Sequence, residues 1–96
     1  APEALVSCMG GLAAGPLREA IRAWQLLPDL VRERAPVDWL GLLRSEEAGI
    51  RQAALETLDP DSGMGLLPLL VDISISDADI EVREKARQAT RRTVGA

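Results

Sequence analysis

The chain has 96 residues, of which 47% are hydrophobic and 27% charged, with a formal net charge of −4. That length makes one domain, and the charge opposes generic binding to polyphosphates or to an anionic membrane. Cys8 is the only cysteine, so no intramolecular disulfide can staple the fold. No apolar stretch is long enough to span a bilayer; the longest nearly apolar run is Leu66 to Val71. The N-terminus shows neither the basic segment nor the apolar core of a secretory leader. A cytoplasmic location is the resulting expectation. Without Phe or Tyr, the core must be built from Leu, Ala, Ile and Val, of which Leu and Ala favour helix.

In chain order, Pro2 to Ala13 is an apolar segment with Leu5, Met9 and Leu12, read as a first helix that ends near Gly10-Gly11. Gly15-Pro16 opens the next, where a proline at the first turn sacrifices no hydrogen bond. There Leu17, Ile21 and Trp24 share one face. Pro28 and Pro36 bracket residues 29–35, either a helical connector or a bent helix. Val37 to Leu43 is apolar again. Ser45 is placed to cap the following helix, with Glu46 and Glu47 in its first turn and Ile50, Ala54 and Leu58 on its inner face.

Asp59-Pro60-Asp61-Ser62-Gly63 carries strong turn chemistry. Leu66 to Ile73 follows, and here two periodicities compete. Val71, Ile73 and Ile75 alternate with Asp72, Ser74 and Ser76 as in a strand. No second strand exists to pair with it, so a helix running into an irregular turn is the reading. Asp79 caps the last helix, in which Val82, Ala86, Ala89 and Thr93 form one face.

Three of these helices are alike. Leu17-Arg18, Ile50-Arg51 and Val82-Arg83 each start a segment with an aliphatic residue and an arginine, followed by a small or aliphatic residue four places after the first. The offsets are 33 (50 − 17) and 32 (82 − 50). An apolar helix precedes each, so the pattern is a helix pair repeated three times. With Ser76-Asp77-Ala78-Asp79-Ile80-Glu81-Val82-Arg83 its best match, the chain resembles the HEAT repeat and its short bacterial HEAT-like relatives over residues 14 to 94. That resemblance implies an all-α fold, a right-handed α-solenoid of about three helix pairs. Residues 1–96 would then be a single domain, expected to be a piece of a longer array. It also implies that Arg18, Arg51 and Arg83 belong to a ladder of arginines bonded to aspartates in the inter-helix turns. Asp77 matches such an aspartate, whereas Leu12 and Ser45 stand in its place elsewhere.

Catalytic chemistry finds little support. There is no His, hence no imidazole base, and Ser7 and Cys8 have no activating partner in sequence. Cys8 is read as a small core residue. Asp77, Asp79 and Glu81 suggest a calcium cluster, and Asp59 starts a segment like a calcium loop, but Leu70 stands where the loop's closing Glu belongs. Helix capping accounts for both, and no metal, cofactor or catalytic residue is expected.

The expected function is therefore a non-catalytic, protein-binding scaffold, not an enzyme, its partner lying across the second helices of the pairs. Candidate contacts are Arg22, Glu56, Arg87 and Arg91, together with Trp39, which is taken as partly exposed and suited to anchor a partner. Trp24 is assigned to the core with Ile21, Leu40, Ile50, Ala54, Leu58, Val82 and Ala86. Arg83, Arg87 and Arg91 form a basic stripe, with Lys85 and Arg92 nearby. The alternatives are a nucleic-acid-binding domain related to HEAT-like base-repair proteins, made less favourable by the net charge, and an accessory subunit of a HEAT-like bilin lyase. The N-terminal helix has more apolar residues than one stripe needs, among them Ala4, Leu5, Val6, Cys8, Met9, Leu12, Ala13 and Ala14. Self-association through that helix, or cover from a preceding repeat, is expected to bury them.

Overall fold

A computed structural model describes residues 2–95. Among them there are eight α-helices and no strand: α1 (Pro2–Cys8), α2 (Ala14–Gln25), α3 (Asp29–Arg34), α4 (Trp39–Leu43), α5 (Ala48–Thr57), α6 (Pro60–Met64), α7 (Leu67–Ser76) and α8 (Ile80–Gly95). A single 3-10 turn, Met9–Gly11, follows α1. α1 packs on α2, α4 on α5 and α7 on α8. α5 lies between α2 and α8 and touches both. The smallest extent is 16 Å. Two helix layers whose axes lie about 8–10 Å apart fill that thickness.

Position in this stack decides which residues are buried. α2 and α8 present one inner face each, Leu17, Ile21 and Trp24 on the first, Val82, Ala86, Ala89 and Thr93 on the second. α5 is flanked on two sides and buries more of its circumference: Ile50, Ala53, Ala54, Leu55 and Thr57. The buried hydroxyls of Thr57 and Thr93 donate to Ala53 O (2.7 Å) and Ala89 O (2.8 Å), so neither is left unpaired. Ile21, Ile50, Ala54, Leu58, Val82 and Ala86 are all buried, as their spacing predicts.

Leu40 is not. It is 42% exposed, because Trp39, Leu42 and Leu43 share the inner face of the short α4 and Leu40 falls outside it. Cys8 is exposed, contrary to a core assignment. α1 itself contains no fully buried residue. The alternating segment Val71 to Ser76 is helical throughout, the final turns of α7, so the irregular turn expected there is absent and the helix runs on to its C-cap at Asp77. Ser45 does not cap α5; the helix starts after Glu47, and the Ser45 hydroxyl accepts from Glu47 N–H (3.2 Å) in the turn before it.

The Asp59–Gly63 segment is more ordered than a simple turn. Asp59 accepts from Ser62 N–H (3.1 Å) and from the Ser62 hydroxyl (2.8 Å), and Pro60 starts α6. α6 then lies against α8 at Gly63. A Cβ there would stand 3.1 Å from Cγ2 and 3.2 Å from Cβ of Thr93. We expect Gly63→Ala to destabilise the chain by about 1–3 kcal/mol through overpacking, measured by urea denaturation. Unchanged stability would show that α6 does not hold this close approach.

Candidate partner-binding surface

Between the two prolines, α3 and its C-cap Ala35 close over the first tryptophan. The guanidinium of Arg32 sits 5.7 Å from the centre of the Trp24 ring and pairs with Asp29. Trp24 Nε1–H donates to Ala35 O (2.6 Å). Trp39 meets Trp24 edge to face, ring centres 6.5 Å apart and planes at 77°. Trp39 is only 7% exposed. The expectation of a partly exposed anchor is therefore corrected: the pairing with Trp24 draws the ring inward, leaving only an edge on an open cleft of about 330 Å³ beside Asp59 and Asp61.

The turn before α8 joins two helix pairs. Arg51 on α5 donates from Nε to Asp77 Oδ2 (2.9 Å) and from Nη2 to Oδ1 (3.1 Å), a two-pronged geometry that fixes orientation as well as contact. Its Nη1 donates to Ser45 O (2.7 Å). Arg83 makes the corresponding bond, from Nη1 to Asp77 O (2.6 Å). Both arginines thus tie themselves to the carbonyl six residues upstream, in their own turn. Arg18 does not follow them; its Nε donates to Glu56 Oε2 (2.5 Å). Asp79 caps α8 by accepting from Val82 N–H (3.0 Å). With Asp77 and Asp79 committed to arginine and backbone, no acidic cluster among the described residues is shaped to hold a metal ion.

Glu56 is the centre of a second link. Arg18 from α2 and Lys85 from α8 (3.4 Å) both pair with it, so one carboxylate bridges three helices. Its hydrogen bond to Arg18 holds its pKa below the usual carboxylate value, against the opposing effect of burial. A depressed carboxylate stabilises the fold above its unfolded pKa, and that contribution is lost as pH falls through the folded value. Glu56→Gln should therefore lose stability at neutral pH and show a weaker acid-induced decline below about pH 4.5. Parallel thermal melts of the two chains from neutral to acid pH would read this; identical pH profiles would contradict it.

The sequence candidates separate on this geometry. Arg22 lies one turn beyond Arg18 on α2 and is exposed. Glu56 is half-buried and paired at both oxygens. Arg87 pairs with Glu84 (2.7 Å) on its own helix, and this pairing lowers the Glu84 pKa. Arg87 lies two residues, about 200° of rotation, from Lys85, so it turns away from the side that meets α5. Arg91 is exposed. Arg92 reaches inward and donates to Leu55 O (2.6 Å), while Gln25 from α2 donates to Thr57 O (2.6 Å). Both satisfy carbonyls in the last turn of α5, where positive charge is favoured. Sequence reasoning missed Leu26, 88% exposed after the end of α2, and Leu30 on α3. Pro28, which separates the two helices, was the available signal that Leu26 would leave the core, while Leu27 stays packed against it. No family model, no curated protein and no solved structure matches the chain.

Proposed function

We propose that the chain is a non-catalytic scaffold of HEAT-like helix pairs that binds a protein partner across α2, α5 and α8. The observation that carries the reading is the shared construction of Arg51 and Arg83, each bonded to the carbonyl six residues upstream, with Arg51 also gripping the turn of the next pair. Such joints repeat a unit and hold its neighbours in a fixed relation, which is how stacked helix pairs make an extended surface. On that surface Arg22 is exposed and Leu26 is an apolar contact beside it, while Arg91, exposed, lies one turn beyond Arg87 on the outer side of α8. Arg18, Glu56 and Lys85 bind one another and act as its frame. No described helix is long and apolar enough to cross a membrane. A cytoplasmic site of action suits the exposed thiol of Cys8, which a reducing compartment keeps free.

The test is site-specific photo-crosslinking in cells. A photoreactive residue at Arg22 or Leu26 should give a discrete adduct with another protein, and one at Glu33 on α3 should not. Equal labelling at all three sites, or crosslinks to nucleic acid at Arg22, would remove the proposal.

A further inference from the structure

The second helices of the first two pairs pack closely, but their first helices do not: α2 meets α5, whereas α1 and α4 make no comparable contact. Between them runs a groove. One section, of about 470 Å³, is lined by Val6, Met9, Leu42 and Ile50, with Ser7, Gly10, Asp38, Gly41 and Ser45. Gly10, Ser45 and Ile50 also line the adjoining section, which continues past Gly11, Leu12 and Ala13 to Glu46 and Glu47. The apolar excess of the N-terminal segment is thus spent partly on this groove.

We infer that the groove binds a cationic amphipathic segment of a partner protein, with an aliphatic side chain inserted between Val6, Met9, Leu42 and Ile50. Charge decides the partner. Among the described residues, Asp38, Glu46 and Glu47 are the only charged side chains that line either section; Asp38 also caps α4, and the Arg51 guanidinium that reaches Ser45 O is already paired with Asp77. Glu46 and Glu47 are exposed and make no ion pair among the described residues. An acidic segment or a nucleic acid entering the groove would meet three carboxylates and no unpaired cation among its lining residues. A basic segment gains steering and rim contacts while its apolar side is desolvated on the floor. Gly10 and Gly11 line the groove beside open space: a Cβ at either would meet no atom within 4 Å. Neither section is lined by Arg22, Glu56 or Arg91, and the inference stands or falls without the surface across α2, α5 and α8.

The test uses a fluorescent amphipathic peptide with leucines at helical spacing and lysines elsewhere, beside the same peptide with glutamates for the lysines. The lysine peptide should bind the full chain at least about tenfold more tightly than the glutamate peptide and weaken as salt rises. Gly10 lines both sections and has open space at its Cβ position, so Gly10→Phe is expected to block the groove and abolish binding, with helical content unchanged by circular dichroism. Glu46→Gln with Glu47→Gln should weaken binding and flatten its salt dependence, whereas Glu33→Gln with Asp61→Asn, outside the groove, should do neither. Equal or absent binding of the two peptides overturns the inference, as does undiminished binding by a folded Gly10→Phe chain. So does a concentration-dependent dimer in sedimentation that Gly10→Phe dissolves, since the occupant would then be a second copy of the chain.

Discussion

Asp77→Ala should cost about 2–4 kcal/mol, toward the lower end of what breaking a buried ion pair costs because both partners keep some solvent. The Asp77 side chain is 9% exposed and that of Arg51 14%. Removing the carboxylate leaves the Arg51 guanidinium in a largely desolvated place with only Ser45 O on its other edge. It also removes the acceptor for Asp79 N–H (2.9 Å), which shapes the turn that starts α8. Asp77→Asn keeps an oxygen for that N–H and should fall between wild type and Asp77→Ala. A chain of this size is stable by only about 5–15 kcal/mol, so the loss is a large part of the total. Urea denaturation of Asp77→Ala, Arg51→Ala and the double variant gives the coupling directly. Additive effects would mean that Arg51 and Asp77 do not act together, and that the joint between the second and third pairs lies elsewhere.

The last two helices were readable from sequence because three kinds of signal agree there. Val82, Ala86, Ala89 and Thr93 mark the inner face, Asp79 caps the start, and Asp77 faces an arginine at the matching place in the preceding pair. Local propensity and long-range contact specify the same structure. The strand-like alternation from Val71 to Ser76 lost to helix because an isolated strand leaves its backbone unpaired. Elsewhere only one signal was present. Leu40 follows Trp39 and is as apolar as Leu42 and Leu43, but a five-residue helix has no room to bury it beside them. Glu56 was read as a free contact; its partners Arg18 and Lys85 are 38 and 29 residues away (56 − 18, 85 − 56), beyond the reach of any local pattern. The groove was invisible for the same reason. It depends on a gap between α1 and α4, which the spacing within either helix does not encode.

Trp39 gives the sharpest separation between a core and a contact role. Trp39→Ala should cost about 3–5 kcal/mol, the range for emptying a buried tryptophan site. The loss has two parts. The ring is 7% exposed and belongs to the core cluster with Trp24, Val37, Leu42 and Leu43. It also supplies the edge-to-face partner of Trp24, whose other contacts are Arg32 over its ring and Ala35 O at its Nε1. With Trp39 gone, the cleft beside Asp59 and Asp61 extends toward Trp24, and α3 loses part of the surface that it covers. Trp39→Phe keeps an aromatic ring and most of the volume, so it should recover more than half of the loss. Thermal melts followed by circular dichroism would measure both substitutions, and the fluorescence of the remaining Trp24 would report solvent entering its site. A Trp39→Ala chain that melts like wild type, with Trp24 emission unmoved, would return Trp39 to the surface as a contact residue. A large loss of stability in the Ala variant, largely spared in the Phe variant, follows only if the ring is part of the core against which α3 and α4 are held.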